Sequence, residues 1–92
     1  MTIVSLEEMK NYLRVDFDDD DELIAAFIES AEKLCMDIAR TDNEEIFSLD
    51  KNSKTAVMYA TAYFYEHREE TDYHDLILTL RSLLFAIREG VF

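Results

Sequence analysis

The most regular pattern of apolar and polar positions lies in the first half of the chain. Between residues 20 and 40, apolar side chains recur in alternating steps of three and four, with Glu29, Lys33 and Asp37 on the opposite side. The apolar positions are Ile24, Phe27, Ala31, Leu34 and Ile38, widened by Leu23, Ile28 and Cys35. Because residues three and four apart are neighbours on a helix, this spacing predicts a core-facing amphipathic helix from about Asp20 to Arg40.

Two segments flank this helix. A shorter helix is predicted from about Leu6 to Val15, where Ser5 and Glu8 have the spacing of a capping box. The segment from Thr41 to Asp50 is predicted to be a polar connection. An apolar triplet within it is expected to pin this loop to the bundle: Ile46, Phe47 and Leu49.

Two more helices are predicted in the second half of the chain. The first begins near Asp50 to Ser53 and ends near Glu70, and the second spans about Asp75 to Arg88, with Asp75 as its N-cap and Gly90 after its end. One glycine and no proline in 92 residues are too few turn residues for an all-β protein. The sequence therefore predicts an all-α fold in a single domain, residues 1–92, arranged as a compact bundle of four helices, one short and three longer, with short polar loops.

The third and fourth predicted helices carry more apolar surface than one core face requires. The core face of the third consists of Ala56, Val57, Ala60, Tyr63 and Phe64, extended by His67. Met58, Ala62 and Tyr65 form a second stripe on roughly the opposite side. On the fourth helix, Leu78 and Phe85 point away from a core stripe of Leu76, Leu80, Leu83, Leu84 and Ile87.

A helix that is apolar all round must be covered on both sides. Either the third helix is central, covered by the other three, or the surplus stripes form a subunit interface, as exposed apolar patches on small domains often do. The second interpretation is favoured because two helices share the surplus. It predicts concentration-dependent association through Met58, Ala62, Tyr65, Arg68, Leu78 and Phe85.

Charge and composition narrow the class of partner. Nine Lys and Arg stand against 21 Asp and Glu, which gives a formal net charge of −12. The basic residues are scattered singly, whereas binding to phosphate backbones rests on clustered ones, so a nucleic-acid reader is not expected. No stretch approaches the roughly 18 apolar residues of a membrane span. Cys35 is the single cysteine and is predicted to be a small core residue.

Candidate chemical sites are few. The acidic run from Asp18 to Glu22 lacks the glycine of a calcium-binding loop and is predicted to stand at a helix N-terminus, where the helix dipole favours acids. The pairs Glu29/Glu32 and Glu66/Glu69 have the i, i+3 spacing of magnesium ligands in all-α nucleotide pyrophosphatases, but Glu29 lies opposite the core stripe. No catalytic residue, cofactor or metal ion is predicted, and the chain is not expected to be an enzyme.

Several short motifs occur in an order that resembles a known family. The first helix ends in YLRVD, formed by Tyr12, Leu13, Arg14, Val15 and Asp16, and an acidic turn and a long Ile/Ala/Glu-rich helix follow. The third helix ends in YEHRE, formed by Tyr65, Glu66, His67, Arg68 and Glu69, and the chain closes with Leu83, Leu84 and Arg88. Over nearly its whole length the chain resembles the small head–tail connector, or DNA-packaging, proteins of tailed bacteriophages. It departs from them in lacking a proline before the last helix and in carrying His67 where asparagine is common.

The resemblance implies a structural role. Such connectors form a ring of about twelve subunits beneath the portal protein of the filled capsid. This ring is a closed assembly of identical subunits. The ring extends the channel for genomic DNA, which passes without sequence readout, and docks head-closure or tail proteins. The protein would then be found at the head–tail junction of the virion, and in the host cytoplasm during assembly, with no membrane partner. Arg68 is expected at the subunit interface and Arg14 in an ordinary surface ion pair.

The strongly negative net charge leaves a second interpretation open. A small acidic helical binding module, either a DNA mimic or a regulator, would sequester a basic partner. Such a module would stay small and bind a DNA-binding protein tightly, whereas a connector would form rings with a central hole. The stoichiometry of the assembled protein therefore separates the two interpretations.

Overall fold

The chain forms helices where the apolar spacing predicts them, and one more between them. The computed structural model describes residues 3–67 and 73–85, and in these ranges it contains five helices and no strand. The helices are α1 Leu6–Leu13, α2 Asp21–Ala39, α3 Glu44–Ser48, α4 Lys51–Glu66 and α5 His74–Leu83. The all-α prediction is confirmed. The four predicted helices correspond to α1, α2, α4 and α5, and α3 is an addition.

Local hydrogen bonds define the ends of α1 and α2. At the start of α1, the Glu8 backbone N–H donates to Ser5 Oγ and the Ser5 N–H donates to Glu8 Oε1, both at 3.1 Å, which confirms the capping box. At their other ends, α1 and α2 stop at Arg14 and Arg40, whose φ angles of 60° and 58° are left-handed. Because a left-handed residue turns the chain off the helix axis, α1 ends before Val15.

The buried row of α2 lies slightly to one side of the predicted one. Its apolar members are Ile24, Ile28, Ala31, Cys35 and Ala39, whereas Phe27, Leu34 and Ile38 are half-buried. Both rows belong to one broad apolar face of the helix. Its centre is set by α4, which packs against α2 more extensively than any other helix does.

Helix α3 corrects the expectation of a helix-free connection between residues 41 and 50. The Asn43 side chain accepts a hydrogen bond from the Ile46 N–H at 3.1 Å and so caps the helix. The predicted pinning is only partly right, because Phe47 is fully buried whereas Ile46 is 45% and Leu49 80% exposed. The three positions spread over about 160° of a single helical turn, and of the three only Phe47 is directed into the core.

Helix α4 is the central helix of the described fold. It packs against α1, α2, α3 and α5. Ala56, Val57 and Ala60 are fully buried as predicted, and so is Thr61. The Thr61 hydroxyl donates to the Val57 carbonyl at 2.7 Å, which satisfies this polar group inside the core. Much of the apolar surface of α4 is therefore covered within the chain.

An aromatic cluster fastens the end of α4 to its neighbours. The Phe64 ring lies 5.9 Å from that of Phe27 on α2 and 5.4 Å from that of Tyr73, just before α5. His67 ends α4: its ring stacks on Tyr63 at 4.2 Å, and its Nδ1 lies 3.1 Å from the Tyr63 carbonyl oxygen. His67 therefore has a structural use at this helix end.

Helix α5 begins earlier than predicted. Its N-cap is Tyr73, which makes no side-chain capping bond, so the predicted N-cap role of Asp75 is wrong. Asp75 instead lies in the first turn, where its negative charge still suits the helix dipole. Leu76, Leu80 and Leu84 are fully buried. The predicted extension to Arg88 and the stop at Gly90 lie outside the described residues.

Candidate interaction surfaces

Exposed apolar side chains are the most distinctive feature of the molecular surface. Within residues 3–67 and 73–85, the large hydrophobic residues that are at least 39% exposed are Tyr12, Phe17, Ile46, Leu49, Tyr59, Leu78 and Phe85. Most of them belong to three surfaces, formed by α5, by the ends of α1 and α4, and by α3. Protein-binding surfaces are commonly built from such residues.

The α5 surface consists of Leu78 on α5 and Phe85, two residues after its end, which are 49% and 59% exposed. On its other side, α5 packs against α2 and α4 and buries Leu76 and Leu80 completely. The helix is therefore apolar both toward the core and away from it. Nothing in the described part of the chain covers the second side.

The predicted outward stripe of α4 is largely covered within the chain. Ala62 is 8% exposed, and Met58 and Tyr65 are half-buried. The Tyr65 hydroxyl donates to Asp20 Oδ2 at 2.6 Å, which fastens the end of α4 to the start of α2. Helix α1 also packs against α4, and the apolar pattern alone does not reveal this cover. Arg68 lies outside the described residues.

A groove between the ends of α1 and α4 joins two of the sequence motifs. It has a volume of about 410 Å³ and is lined by Tyr12, Leu13, Arg14, Ala62, Tyr65 and Glu66. Arg14 is exposed and forms no ion pair with residues that the structure describes, so its expected surface ion pair is absent there. Tyrosine and arginine are enriched among the residues that dominate protein–protein binding. This α1–α4 groove is therefore a second candidate surface.

The α3 surface was missed by the sequence interpretation. Ile46 and Leu49 are exposed on either side of the buried Phe47. The signal that could have identified them is their spacing, because side chains at i, i+1 and i+3 spread over about 160° of a helix, which is wider than a narrow buried stripe.

The other motif residues lie in the core or in a turn, or they lie outside the described residues. Leu84 is fully buried and Leu83 half-buried, so both contribute to the core side of α5. Asp16 is exposed in the turn between α1 and α2. Glu69 and Arg88 lie outside the described residues.

Ion pairs order the acidic turn before α2. Lys10 Nζ lies 2.8 Å from Asp18 Oδ1 and 2.7 Å from Asp21 Oδ1. The hydrogen bond with Asp18 is the main cause that raises the pKa of Lys10, and Lys10 in turn lowers the pKa of Asp18. On α4, Lys54 pairs with Glu8 and lowers the pKa of that carboxyl group. These cations are therefore engaged within the chain.

Glu32 and Cys35 are the buried titratable groups of α2. Glu32 is 6% exposed and accepts a hydrogen bond from the Ile3 N–H at 2.9 Å. Burial is the main cause that raises the pKa of Glu32, and the nearby Glu44 carboxyl group raises it further. Burial, with a smaller effect of Glu32, raises the pKa of the Cys35 thiol to about 12, so the thiol is protonated at neutral pH. Among the described residues, no group of three or more His, Cys, Asp or Glu is arranged to hold a metal ion.

Taken with the fold, these features describe a small all-α protein with three candidate surfaces for contacts with other proteins. A family model described as Phage gp6-like head-tail connector protein matches residues 3–88. The chain therefore belongs to this family of phage head–tail connectors, which is a family of structural proteins, and the resemblance is confirmed. No curated protein and no solved structure matches the chain. Within the described ranges, no helix has both the length and the apolar character to cross a bilayer.

Proposed function

We propose that the chain is a connector subunit at the head–tail junction of a tailed-phage virion. Copies of it form a ring beneath the portal protein, extend the DNA channel and dock head-closure or tail proteins. Membership of the connector family supports this role, and the exposure of Leu78 and Phe85 on α5 is the observation that carries the assembly step. Burial of each such side chain contributes roughly 1.5–3 kcal/mol to association.

A closed ring of identical subunits needs two different contact surfaces on each subunit, because its contacts are heterologous. The α5 surface and the α1–α4 groove can serve as this pair. In the groove, Tyr12 and Tyr65 supply aromatic area, and Arg14 supplies a cation for a carboxylate of the neighbouring copy. Met58 would extend the α4 side of this contact, and Arg68 stays a predicted interface residue.

The net charge suits a channel that does not retain DNA. At −12, the chain repels the phosphate backbone, and Lys10 and Lys54 are already paired with its own carboxylates. The same charge would suit an acidic module that sequesters a basic protein. Family membership favours the connector over that alternative.

Deletion of the gene from the phage or prophage genome that encodes it tests this proposal. We expect the lysate to contain DNA-filled heads and unattached tails in electron micrographs. Expression of the wild-type chain in trans should restore tailed particles. A chain carrying Leu78→Glu and Phe85→Glu should not restore them, because burial of a carboxylate on the α5 surface costs free energy.

Lys33→Glu is the matched control, since it changes the net charge by the same two units at an exposed polar position on α2, away from the α5 surface. It should restore tailed particles as the wild type does, and far-UV circular dichroism should show that every variant is folded. Infectious tailed particles without the gene would contradict the proposal. Full rescue by the doubly substituted chain would contradict its assembly step.

A further inference from the structure

The α3 surface is an apolar corner in an acidic segment. Ile46 and Leu49 line a cavity of about 400 Å³ together with Asp50, Lys51 and Asn52. Leu49, at 80%, is the most exposed large apolar side chain in the described chain. The core uses Phe47 to anchor α3. Two apolar side chains are therefore presented to solvent at a place where the fold itself does not bury them.

Local hydrogen bonds order the backbone of this corner. The Asn43 side chain accepts from the Ile46 N–H at 3.1 Å, and the Leu49 N–H donates to the Ile46 carbonyl at 3.2 Å. Asp50 Oδ1 then accepts from the Asn52 N–H at 2.8 Å and begins α4. A surface that is ordered before binding loses little conformational entropy on binding, so the corner is suited to docking.

The size of the cavity fits a side chain rather than a whole element of structure. At about 400 Å³, it lies at the lower end of the range of small binding pockets. An aliphatic or aromatic side chain that enters it would be placed against Ile46 and Leu49. Both of these residues would then lose contact with water, which favours binding.

The negative charge of the α3 segment determines which residues can flank the partner's apolar side chain. The segment from residue 41 to residue 50 contains four carboxylates and no cation: Asp42, Glu44, Glu45 and Asp50. Among the residues that line the cavity, Lys51 carries the only positive charge. A partner segment with lysine or arginine beside its apolar residue would be attracted, and an acidic segment would be repelled.

We infer that the α3 surface docks a segment of an adjoining virion protein in which an aliphatic or aromatic residue is flanked by lysine or arginine. The inference rests on the proposed connector role, because a connector must hold an adjoining protein. It adds the surface that does so and the chemistry that this surface recognises.

Short fluorescent peptides test the inference by fluorescence anisotropy with the full chain. The peptides share a glycine–serine background and carry a central leucine, phenylalanine or serine, flanked by lysines or by glutamates. Peptides with an apolar centre and lysine flanks are expected to bind about tenfold more tightly than their glutamate-flanked counterparts, as several exposed charge pairs together allow. Replacement of the central residue by serine should remove binding.

Two variants of the chain locate the site. Leu49→Glu should weaken binding of the lysine-flanked peptides about tenfold or more, because it removes a central apolar contact. Phe17→Glu is the control, since it also replaces an exposed large apolar side chain, 48% exposed and outside all three candidate surfaces, by a carboxylate, and it should bind these peptides as the wild type does. Both positions are exposed, and thermal unfolding should show that both variants fold.

Absence of binding, equal binding of lysine- and glutamate-flanked peptides, or unchanged binding to the Leu49→Glu chain would each overturn the inference. So would a concentration-dependent rise in mass that Leu49→Glu abolishes, because the surface would then hold a second copy. Tail attachment in phage lysates does not depend on this measurement. Failure of peptide binding and failure of the connector role are therefore distinguishable.

Discussion

At the scale of single residues, two arginines occupy backbone conformations that suit glycine better. Arg14 and Arg40 end α1 and α2 with φ near 60°, where the Cβ atom of an L-residue crowds the following carbonyl oxygen. Arg14 lines the α1–α4 groove, so its side chain has a proposed role in binding although its backbone conformation is unfavourable. Arg40 is exposed and forms no ion pair with the described residues.

Arg40→Gly is therefore expected to stabilise the isolated chain by about 1 kcal/mol, because glycine adopts the left-handed cap without the Cβ penalty. Urea unfolding followed by circular dichroism measures the change. Arg40→Ala is the control, since it removes the same side chain and keeps the Cβ atom. If the glycine variant were no more stable than the alanine variant, the strain assigned to this cap would be absent.

At the scale of elements, α3 shows how one short helix divides its side chains between the core and a docking surface. Phe47 points inward, while Ile46 and Leu49 remain in solvent. The periodicity of the sequence was sufficient for the four longer helices, because each presents several turns of apolar residues to the core. A single turn has too few positions for periodicity to be visible, so α3 was not predicted.

The contrast within α3 can be measured directly. Phe47→Ala is expected to lower the free energy of unfolding by about 3–5 kcal/mol, because it leaves a cavity in the core. Leu49→Ala, two positions away, should change it by less than about 0.5 kcal/mol, as is usual for exposed positions. Urea unfolding of both variants gives the comparison. A similar loss for the two variants would mean that Leu49 packs into the fold.

The stripe on α4 marks the limit of sequence patterns at this scale. The spacing of Met58, Ala62 and Tyr65 correctly indicates a second apolar side, but it does not say what covers that side. The packing of α1 against α4 and the bond from Tyr65 to Asp20 supply that cover, and both join residues far apart in the sequence. On α5, by contrast, Leu78 and Phe85 remain exposed, so the surplus there is available to a partner.

At the scale of the whole molecule, a small fold presents three candidate surfaces and a strongly negative charge. The α5 surface and the α1–α4 groove are proposed to join neighbouring copies, and the α3 surface is proposed to hold a basic segment of an adjoining protein. The order of the family motifs predicted membership of the connector family from the sequence alone, and this prediction is confirmed. The groove could not be predicted, since it depends on which helices meet in the folded chain, and the pattern alone did not say which apolar residue of the α3 segment is its anchor.

The most direct test of the central proposal is negative-stain electron microscopy of the chain mixed with the purified portal protein of the same genome. We expect the wild-type chain and Lys33→Glu to add a ring with a central hole to one end of the portal. The chain with Leu78→Glu and Phe85→Glu should leave portals bare, because neighbouring copies can no longer bury the α5 surface between them. Rings that form equally well with the doubly substituted chain would contradict the proposal.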